Sequence, residues 1–190
     1  MTLELLIDNL RSDKNTTHSY LSLYQDLLND KKESARNVLE VGIFNGGSIK
    51  LWNDFFTNAT VYALDIMNYE LIWDKLKNNE KIKIFSSTDA YDESIFNSTF
   101  LDKGITFDFM LDDGPHTLES MKQFIKLYSK LMTDDGILII EDVQSIDWIP
   151  ILADVVPEHL KKYIMVYDLR NNKGRYDDIV FSINKTNGKR

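Results

Sequence analysis

Two pairs of acidic residues stand at the ends of two apolar segments in the middle of the chain. Asp112 and Asp113 follow the segment FDFML, and Glu141 and Asp142 follow GILII. Carboxylates gathered in one place repel one another, so such a group is typical of a site that holds a cation or accepts hydrogen bonds from a ligand. These four acids are therefore the first candidates for a functional site.

The sequence between the two acid pairs predicts how they are brought together. Residues 118–131 carry apolar side chains at helical spacing, so residues 107–142 are predicted to form a strand, a crossover helix and a second, parallel strand. Neighbouring parallel strands lie about 4.8 Å apart. If the two strands are neighbours, all four carboxylates gather at the carboxyl edge of the sheet, where open α/β sheets bind their ligands.

A glycine-rich turn earlier in the chain indicates a second part of the site. The apolar segment NVLEV is followed by GIFNGGS and then by a helical pattern, which is the nucleotide-binding arrangement of doubly wound folds. The turn lacks both the G-x-G-x-x-G of a dinucleotide fingerprint and the Gly-Lys-Ser/Thr of a P-loop. Its E-x-G-x-x-x-G form, which runs from Glu40 through Gly42 to Gly46, favours S-adenosylmethionine (SAM). A tight turn without a ligand is the alternative.

Two further acids follow the next two predicted strands. Asp65 ends the strand TVYAL, where an acid can accept hydrogen bonds from ribose hydroxyls. Asp89 closes the polar run SSTD after the strand predicted at residues 81–85, and we expect it to contact an adenine edge. For both acids the alternative is a solvated loop residue.

The order of the predicted elements indicates the fold class. A helical region is followed by β-α-β-α-β, then β-α-β, and finally by strands at residues 163–169 and 179–183 whose connection RNNKGRYDD suits a hairpin. We predict an α/β, Rossmann-like sheet of seven mostly parallel strands, with helices on both faces and one antiparallel strand near the edge. The chain is predicted to be a single domain over residues 1–190, with an N-terminal helical cover over residues 1–35 and the core over residues 36–185.

Several local predictions accompany this fold. Residues 69–78 are predicted to form a helix, residues 92–102 a weak helix, and residues 150–160 a broken one. The TDDG of residues 133–136 is predicted to be a turn, and the polar tail at 185–190 is expected to be frayed.

The N-terminal region is predicted to form two helices that pack over the domain. Residues 3–10 carry one apolar stripe, which ends at Leu10, and residues 20–28 carry another. Between them lies the polar, turn-like RSDKNTTHSY, in which His18 is expected to be a solvent-exposed loop residue. A direct role of this region at the site is left open.

The bulk composition limits the classes of function. The 190-residue chain has a formal charge of −8 and a pI near 4.9, which argues against nucleic-acid binding because such binding requires a basic surface. The sequence contains no cysteine, so thiol nucleophiles, disulfides and thiolate metal sites are excluded. It shows neither a signal peptide nor an apolar run of membrane length. We therefore expect a cytoplasmic protein whose partners include neither nucleic acid nor a membrane.

Three motifs together resemble one family, the class I SAM-dependent methyltransferases of the macrocin and mycinamicin sugar O-methyltransferase type. LEVGIFNGGS resembles the SAM loop of this family, LDDGPH resembles its D-D-G-S-H motif with Pro115 in place of serine, and IIEDV resembles its I-E-D motif. The cephalosporin-hydroxylase-like proteins are also similar. Weaker similarities are SDKNTTHSYLSLY near the start of the sequence and DLRNNKGRYDD near its end.

The resemblance implies a role for each acid. Asp113, Glu141 and Asp142 would ligate a divalent cation, with Mg²⁺ expected because hard oxygen ligands suit a hard cation. His116 would be the catalytic base, with Asp113 beside it. Asp112 would face the cofactor rather than the metal. The full SAM-binding set would be Glu40, Gly42, Gly46, Ser48, Asp65, Asp89 and Asp112.

The resemblance also implies the reaction, which would be a SAM-dependent, metal-assisted methylation of a hydroxyl on a sugar or a glycosylated small molecule. A metal would stabilise the developing alkoxide, and a histidine, which titrates near neutral pH, would take the proton. The protein would mainly align donor and acceptor. Residues 11–24 and 143–150 are expected to line the acceptor pocket, and a homo-oligomeric assembly is left open.

The sequence disfavours several other functions and leaves two of them open. Amino-group methylation is disfavoured because LDDGPH replaces the Asn-Pro-Pro-Tyr typical of it. RNA ribose methylation is disfavoured because it usually relies on a catalytic lysine and a basic face, and neither is evident in the sequence. A metal-dependent hydroxylase lacks the expected His-rich iron triad. A catechol-type small-molecule O-methyltransferase and a non-catalytic SAM-binding module remain as alternatives.

Overall fold

The computed structural model describes residues 1–186, which form seven strands and eight α-helices. The strands are β1 Asn37–Val41, β2 Thr60–Leu64, β3 Ile82–Phe85, β4 Phe107–Asp112, β5 Met132–Ile140, β6 Ile164–Asp168 and β7 Ile179–Asn184. The helices are α1 Leu3–Leu6, α2 Tyr20–Leu28, α3 Gly47–Phe55, α4 Asp74–Lys77, α5 Glu93–Phe96, α6 Leu118–Tyr128, α7 Trp148–Val155 and α8 Arg170–Lys173. The predicted fraying of the tail falls mostly on residues 187–190, outside the described residues.

All seven strands belong to one sheet, in the order β3-β2-β1-β4-β5-β7-β6. β1 pairs in parallel with β2 and β4, and β4 pairs in parallel with β5. β7 is antiparallel to both of its neighbours, β5 and β6. The predicted mostly parallel sheet with one antiparallel strand near the edge is therefore confirmed. The direction of strand order reverses between β1 and β4, which is the point where such sheets bind ligands.

The core lies on both faces of the sheet, as expected for central parallel strands that are covered by helices. Residues along β4 alternate between the faces: Phe109 packs with Trp52 of α3, and Met110 belongs to the cluster that contains Phe124 of α6. Helix α6 begins with a capping box between Thr117 and Ser120. This is the predicted crossover helix, and it sets β4 beside β5.

The N-terminal cover is less helical than predicted. Helix α1 ends at Leu6, and Leu10 is 95% exposed instead of continuing the apolar stripe. The Asp8 carboxylate accepts a hydrogen bond from the Leu10 backbone N–H, which is a local bond that competes with helical pairing. His18 was predicted to be exposed, and this is wrong because only 5% of its surface is accessible.

Other local predictions are corrected or confirmed in part. Residues 69–78 form a 3₁₀ turn and the short helix α4 instead of one helix. Residues 133–136 belong to β5, whose register with β4 shifts between Phe107 and Phe109. The predicted helix at 92–102 is present as α5 followed by a π-helical turn. Helix α7 carries Pro150 in its first turn, where no intrahelical N–H is needed. Among residues 1–186, no helix has the length and apolar character required to cross a bilayer.

Candidate active site

A cavity of about 620 Å³ opens at the carboxyl edge of the sheet, where β1, β2 and β4 end. Its lining includes Gly42 of the glycine turn, Asp65 after β2 and Asp89 after β3, all of which were predicted to bind a cofactor. The same lining includes Asp113 and His116 from the loop after β4. The residues predicted to bind the cofactor (the cofactor half) and the residues predicted to carry out the chemistry (the acid half) therefore line the same cavity.

Gly42 permits the close contact between these two halves. Its φ of +98° lies in the region that side chains rarely adopt. A Cβ atom at this position would lie 2.1 Å from the backbone carbonyl oxygen of Asp113. The turn after β1 can therefore lie against the end of β4 only because residue 42 has no side chain.

Asp65 organises the glycine turn from the neighbouring strand. Its Oδ2 accepts hydrogen bonds from the backbone N–H groups of Ile43 at 2.7 Å and Phe44 at 3.2 Å. Its Oδ1 accepts a bond from the Met67 N–H at 2.9 Å. A carboxylate has about four lone-pair positions, so Asp65 retains capacity for a hydroxyl of a ligand.

Glu40 lies behind the cavity wall and does not line the cavity. It is fully buried, and the Trp52 indole N–H donates to its Oε2 at 2.5 Å. Its Oε1 has no hydrogen-bond partner, and the Lys14 ammonium is 3.9 Å away. Burial raises the pKa of Glu40 to about 7, although the attraction of Lys14 opposes the increase. A buried acceptor without a hydrogen bond is unfavourable, and the positive charge of Lys14 offsets part of that cost.

Three other residues that were predicted to bind the cofactor, Asp112, Gly46 and Ser48, do not line the cavity either. Asp112 is buried and accepts a hydrogen bond from the Tyr91 hydroxyl at 2.5 Å, and burial raises the pKa of its carboxyl group to about 7. Gly46 has a φ of +78° at the start of α3, where a Cβ atom would lie 2.6 Å from Leu76. Ser48 is buried in the first turn of that helix.

Two carboxylates and an imidazole lie close together where the acid cluster, formed by Asp113, Glu141 and Asp142, faces the cavity. His116 Nε2 lies 3.7 Å from Asp113 Oδ1 and 3.6 Å from Asp142 Oδ2. One potential ligand atom from each of the three residues falls within 4.8 Å of the others, so this group could hold a metal ion. All three residues line the cavity, and the structure thus brings together three of the residues that were predicted for chemistry.

Glu141 is turned away from this group, which departs from the predicted metal set. Its Oε1 accepts a bond from the Lys14 ammonium, and its Oε2 accepts one from the Tyr24 hydroxyl. The side chain is fully buried, and burial raises its pKa well above the ordinary value. Asp113, Glu141 and Asp142 are close in space, but in this structure Glu141 bonds to the N-terminal region instead of facing the cavity.

The N-terminal region contributes residues to the site that the sequence analysis did not single out. The Tyr20 hydroxyl donates to Asp142 Oδ1. His18 Nδ1 lies 2.6 Å from Asp178 Oδ1 and 3.3 Å from Asp142 Oδ1, and His18, Asp177 and Asp178 form a second group with ion-binding spacing. The i, i+4 spacing of the two tyrosines in SYLSLY places both on one helix face, which is the signal that could have revealed them.

Lys14 is the least expected member of the cluster, because it lies in a polar turn but is only 1% exposed. Its ammonium lies 2.7 Å from Asp113 Oδ2 and also bonds to Glu141. Burial by itself lowers the pKa of this ammonium, but the attraction of Asp113, Glu141 and Glu40 is stronger, so the pKa is raised well above its ordinary value.

Backbone strain marks the same place independently of any motif. Among residues 1–186, the non-glycine residues with positive φ are Phe44, Ser87, His116 and Asp142. Phe44, His116 and Asp142 line the cavity, and Ser87 precedes the lining residue Thr88. Such conformations cost on the order of 1–3 kcal/mol each and cluster at functional sites.

The residues that were expected to line an acceptor pocket have little part in this cavity. Asp13, in the predicted range 11–24, lines the cavity. No residue of the predicted range 143–150 lines it, within the part of the chain that the structure describes. The cavity lining therefore includes Asp13 of the N-terminal segment and, after β5, only Asp142, among the residues that the structure describes.

Comparison with known proteins supports the resemblance that the motifs predicted. The chain has the class I SAM-dependent methyltransferase fold: it superimposes on MycE, a methyltransferase from the mycinamycin biosynthetic pathway solved in complex with Mg and SAH, with a TM-score of 0.75. The two sequences are 19% identical, and the alignment covers 97% of this chain and 55% of MycE. No protein-family model matches the sequence.

Several curated proteins with similar sequences are O-methyltransferases of glycosylated compounds by name. Mycinamicin VI 2''-O-methyltransferase of Micromonospora griseorubida is 22% identical over 138 residues, which are 69% of this chain and 33% of that protein. The 8-demethyl-8-alpha-L-rhamnosyl tetracenomycin-C 2'-O-methyltransferase of Streptomyces olivaceus is 26% identical over 145 residues, which are 72% of this chain and 36% of that protein. The chain thus spans about a third of the length of these relatives.

Proposed function

We propose that this chain is a SAM-dependent O-methyltransferase that uses a divalent cation, expected to be Mg²⁺, and methylates a hydroxyl of a sugar or a glycosylated small molecule. The observation that carries the proposal is the meeting of Asp113, His116 and Asp142 with the glycine turn in one cavity. The names of the similar proteins, and the Mg and SAH bound to MycE, support the same chemistry.

The cofactor half of the cavity fits SAM by the nature of its wall. Gly42 leaves room beside the end of β4, and Asp65 and Asp89 present carboxylates to the cavity. When bound, SAM supplies a methyl group on a sulfonium that is already activated. The residues of this chain have only to hold and orient the cofactor.

The acid half of the cavity offers carboxylate oxygens, which suit a hard divalent cation. Asp113 and Asp142 would hold the cation, and Glu141, the third predicted ligand, would have to exchange its bond with Lys14 to join them. A bound divalent cation favours ionisation of a hydroxyl by stabilising the alkoxide. His116 would accept the hydroxyl proton, because its imidazole lines the same cavity and its Nε2 lies 3.7 Å from Asp113 Oδ1 and 3.6 Å from Asp142 Oδ2.

The decisive experiment is a methyl-transfer assay with isotopically labelled SAM and a panel of acceptors. We expect transfer to a deoxysugar glycoside in the presence of Mg²⁺ and loss of transfer in EDTA. Transfer to catechols but not to glycosides would identify the catechol-type alternative. SAH binding without turnover on any acceptor would favour the non-catalytic module, and failure to bind SAH in calorimetry would refute the proposal as a whole.

The proposed setting follows from this chemistry. We expect a cytoplasmic enzyme that acts on small molecules, with neither nucleic acid nor a membrane as a partner. Gel filtration with light scattering would determine whether the chain assembles into a homo-oligomer.

A further inference from the structure

Lys14 connects the carboxyl ends of three neighbouring strands. Its ammonium contacts Glu40 in β1, Asp113 directly after β4 and Glu141 directly after β5. These strands lie side by side in the sheet. A lysine ammonium has three N–H donors, so one group can serve several carboxylates at once. A single residue of the N-terminal turn thus holds together the acid cluster at the base of the site.

The position of Lys14 follows from the charges around it. Within 4 Å of Asp113 and Glu141, no other lysine or arginine among residues 1–186 forms an ion pair. Buried carboxylates repel one another and are expensive to leave unpaired, so an assembled cluster needs a positive charge. Lys14 supplies one such charge from within the chain itself.

The two carboxylate oxygens of Asp113 face different partners. Asp113 Oδ2 bonds to Lys14, whereas Oδ1 faces His116 in the group that could hold a metal ion. A divalent cation at that group would share Asp113 with the ammonium. It would also be repelled by the ammonium, because two positive charges would act on the same carboxylate.

We infer that Lys14 is a positioning residue that serves as an internal cation: it keeps the acid cluster assembled before a divalent cation binds, and it weakens the binding of that cation. This inference rests on the proposed function. It assigns a role in the site to the N-terminal segment. It also gives a reason for the position of Glu141, which is the anchor of Lys14 in this structure.

The test measures Mn²⁺ binding by calorimetry in the Lys14→Met variant, with Lys31→Met as the matched control. Lys31 is also a buried lysine, and it pairs with Asp135 near the start of β5, at the opposite end of the strand from the cluster. We expect Lys14→Met to bind Mn²⁺ at least ten-fold more tightly than the wild type. We also expect its melting temperature to rise more on Mn²⁺ addition, whereas Lys31→Met behaves like the wild type.

The possible outcomes separate this inference from the proposed function. Unchanged or weaker Mn²⁺ binding in Lys14→Met, with normal binding in the wild type, overturns the role of Lys14 and leaves the proposed function intact. Absence of Mn²⁺ binding in both proteins overturns the inference together with the metal part of the proposed function. SAH binding, measured in parallel, reports on the cofactor half separately.

A variant that fails to fold in EDTA is also informative. The inference predicts that Mn²⁺ restores folding of Lys14→Met, because the metal replaces the missing positive charge. The Lys14→Gln variant, which retains a hydrogen-bond donor, is measured in the same way. Failure of both variants to fold at saturating Mn²⁺ overturns the inference, because the two cations would then not be interchangeable.

Discussion

The two halves of the cavity are built in different ways. The cofactor half comes from short stretches that directly follow β1, β2 and β3, and its polar contacts join residues about 20 positions apart, such as Asp65 and Ile43. The acid half consists of Asp113, His116 and Asp142 together with partners from the N-terminal segment, and these partners are far away in sequence: Lys14 and Asp113 are 99 positions apart, and His18 and Asp178 are 160 apart. The cofactor half is thus a local motif, whereas the acid half is complete only after the N-terminal segment has packed against the sheet.

Because of this difference, substitutions in the two halves should have different effects. In the cofactor half, backbone groups and glycines make most of the contacts, so substitutions there should act on cofactor binding or on folding. In the acid half, charged side chains from distant segments make the contacts, so substitutions there should act on metal binding and proton transfer. Four measurements test whether the two halves respond separately.

The largest effect is expected at His116. The His116→Gln variant should lower kcat by about 10²–10⁴-fold, because it removes a general base. SAH affinity should stay within about two-fold of the wild-type value, since the side chain belongs to the acid half. His159→Gln is the control, because His159 is exposed and does not line the cavity. A normal kcat in His116→Gln would exclude His116 as the base.

The next largest effect is expected where the halves touch. The Gly42→Ala variant should lower the free energy of unfolding by at least about 3 kcal/mol, because its Cβ would collide with the Asp113 carbonyl oxygen and its φ would be strained. Gly104→Ala is the matched control: Gly104 also has a positive φ, but a Cβ there meets nothing within 4 Å. Equal losses in urea unfolding would show that the contact with Asp113 carries no cost.

A smaller effect is expected on the free energy of unfolding when the pH is changed. Burial raises the pKa of Asp112 to about 7, so the folded chain holds this proton more tightly than the unfolded chain does. Its contribution to stability is therefore full below about pH 4 and is lost as the pH rises to about 7.

Urea unfolding at pH 4.5 and pH 8 in EDTA checks this expectation. Between the two pH values Asp112→Asn should lose less stability than the wild type does, and the difference should be on the order of 2 kcal/mol. The reason is that a difference of one unit between the folded and unfolded pKa of a group is worth about 1.4 kcal/mol of stability. Glu40 has a similarly raised pKa, so part of the wild-type dependence should persist in the variant. Identical losses in both proteins would contradict the assignment to Asp112.

The smallest effect is expected at Asp65. The Asp65→Asn variant keeps one acceptor oxygen but loses the charge that orders the glycine turn, so SAH affinity should fall about ten-fold, or roughly 1.4 kcal/mol. Mn²⁺ affinity should not change. Asp74→Asn, at an exposed position, controls for the loss of one negative charge. An equal loss of Mn²⁺ affinity would show that the two halves are not separate.

Much of the architecture was predictable because its signals are local. The apolar runs of β1, β4 and β5 and the apolar spacing of α6 predicted the parallel sheet and the carboxyl edge at which the acids lie. The N-terminal stripe was misleading, because Asp8 bonds to the backbone at Leu10 and helix α1 ends at Leu6. Periodicity reports which residues can share a face, and it does not report such local competition.

The class of the fold, the glycine turn at Gly42 and the placement of the acids at strand ends follow from residue types at short spacing, so they can be read from the sequence. The division of those acids follows from the folded chain: Asp113 and Asp142 face the cavity beside His116, whereas Glu141 bonds to Lys14 and Tyr24. It does so because a buried carboxylate takes the nearest available donor. For Glu141 the donors are 127 and 117 positions away, at Lys14 and Tyr24, and no short-range pattern can locate them.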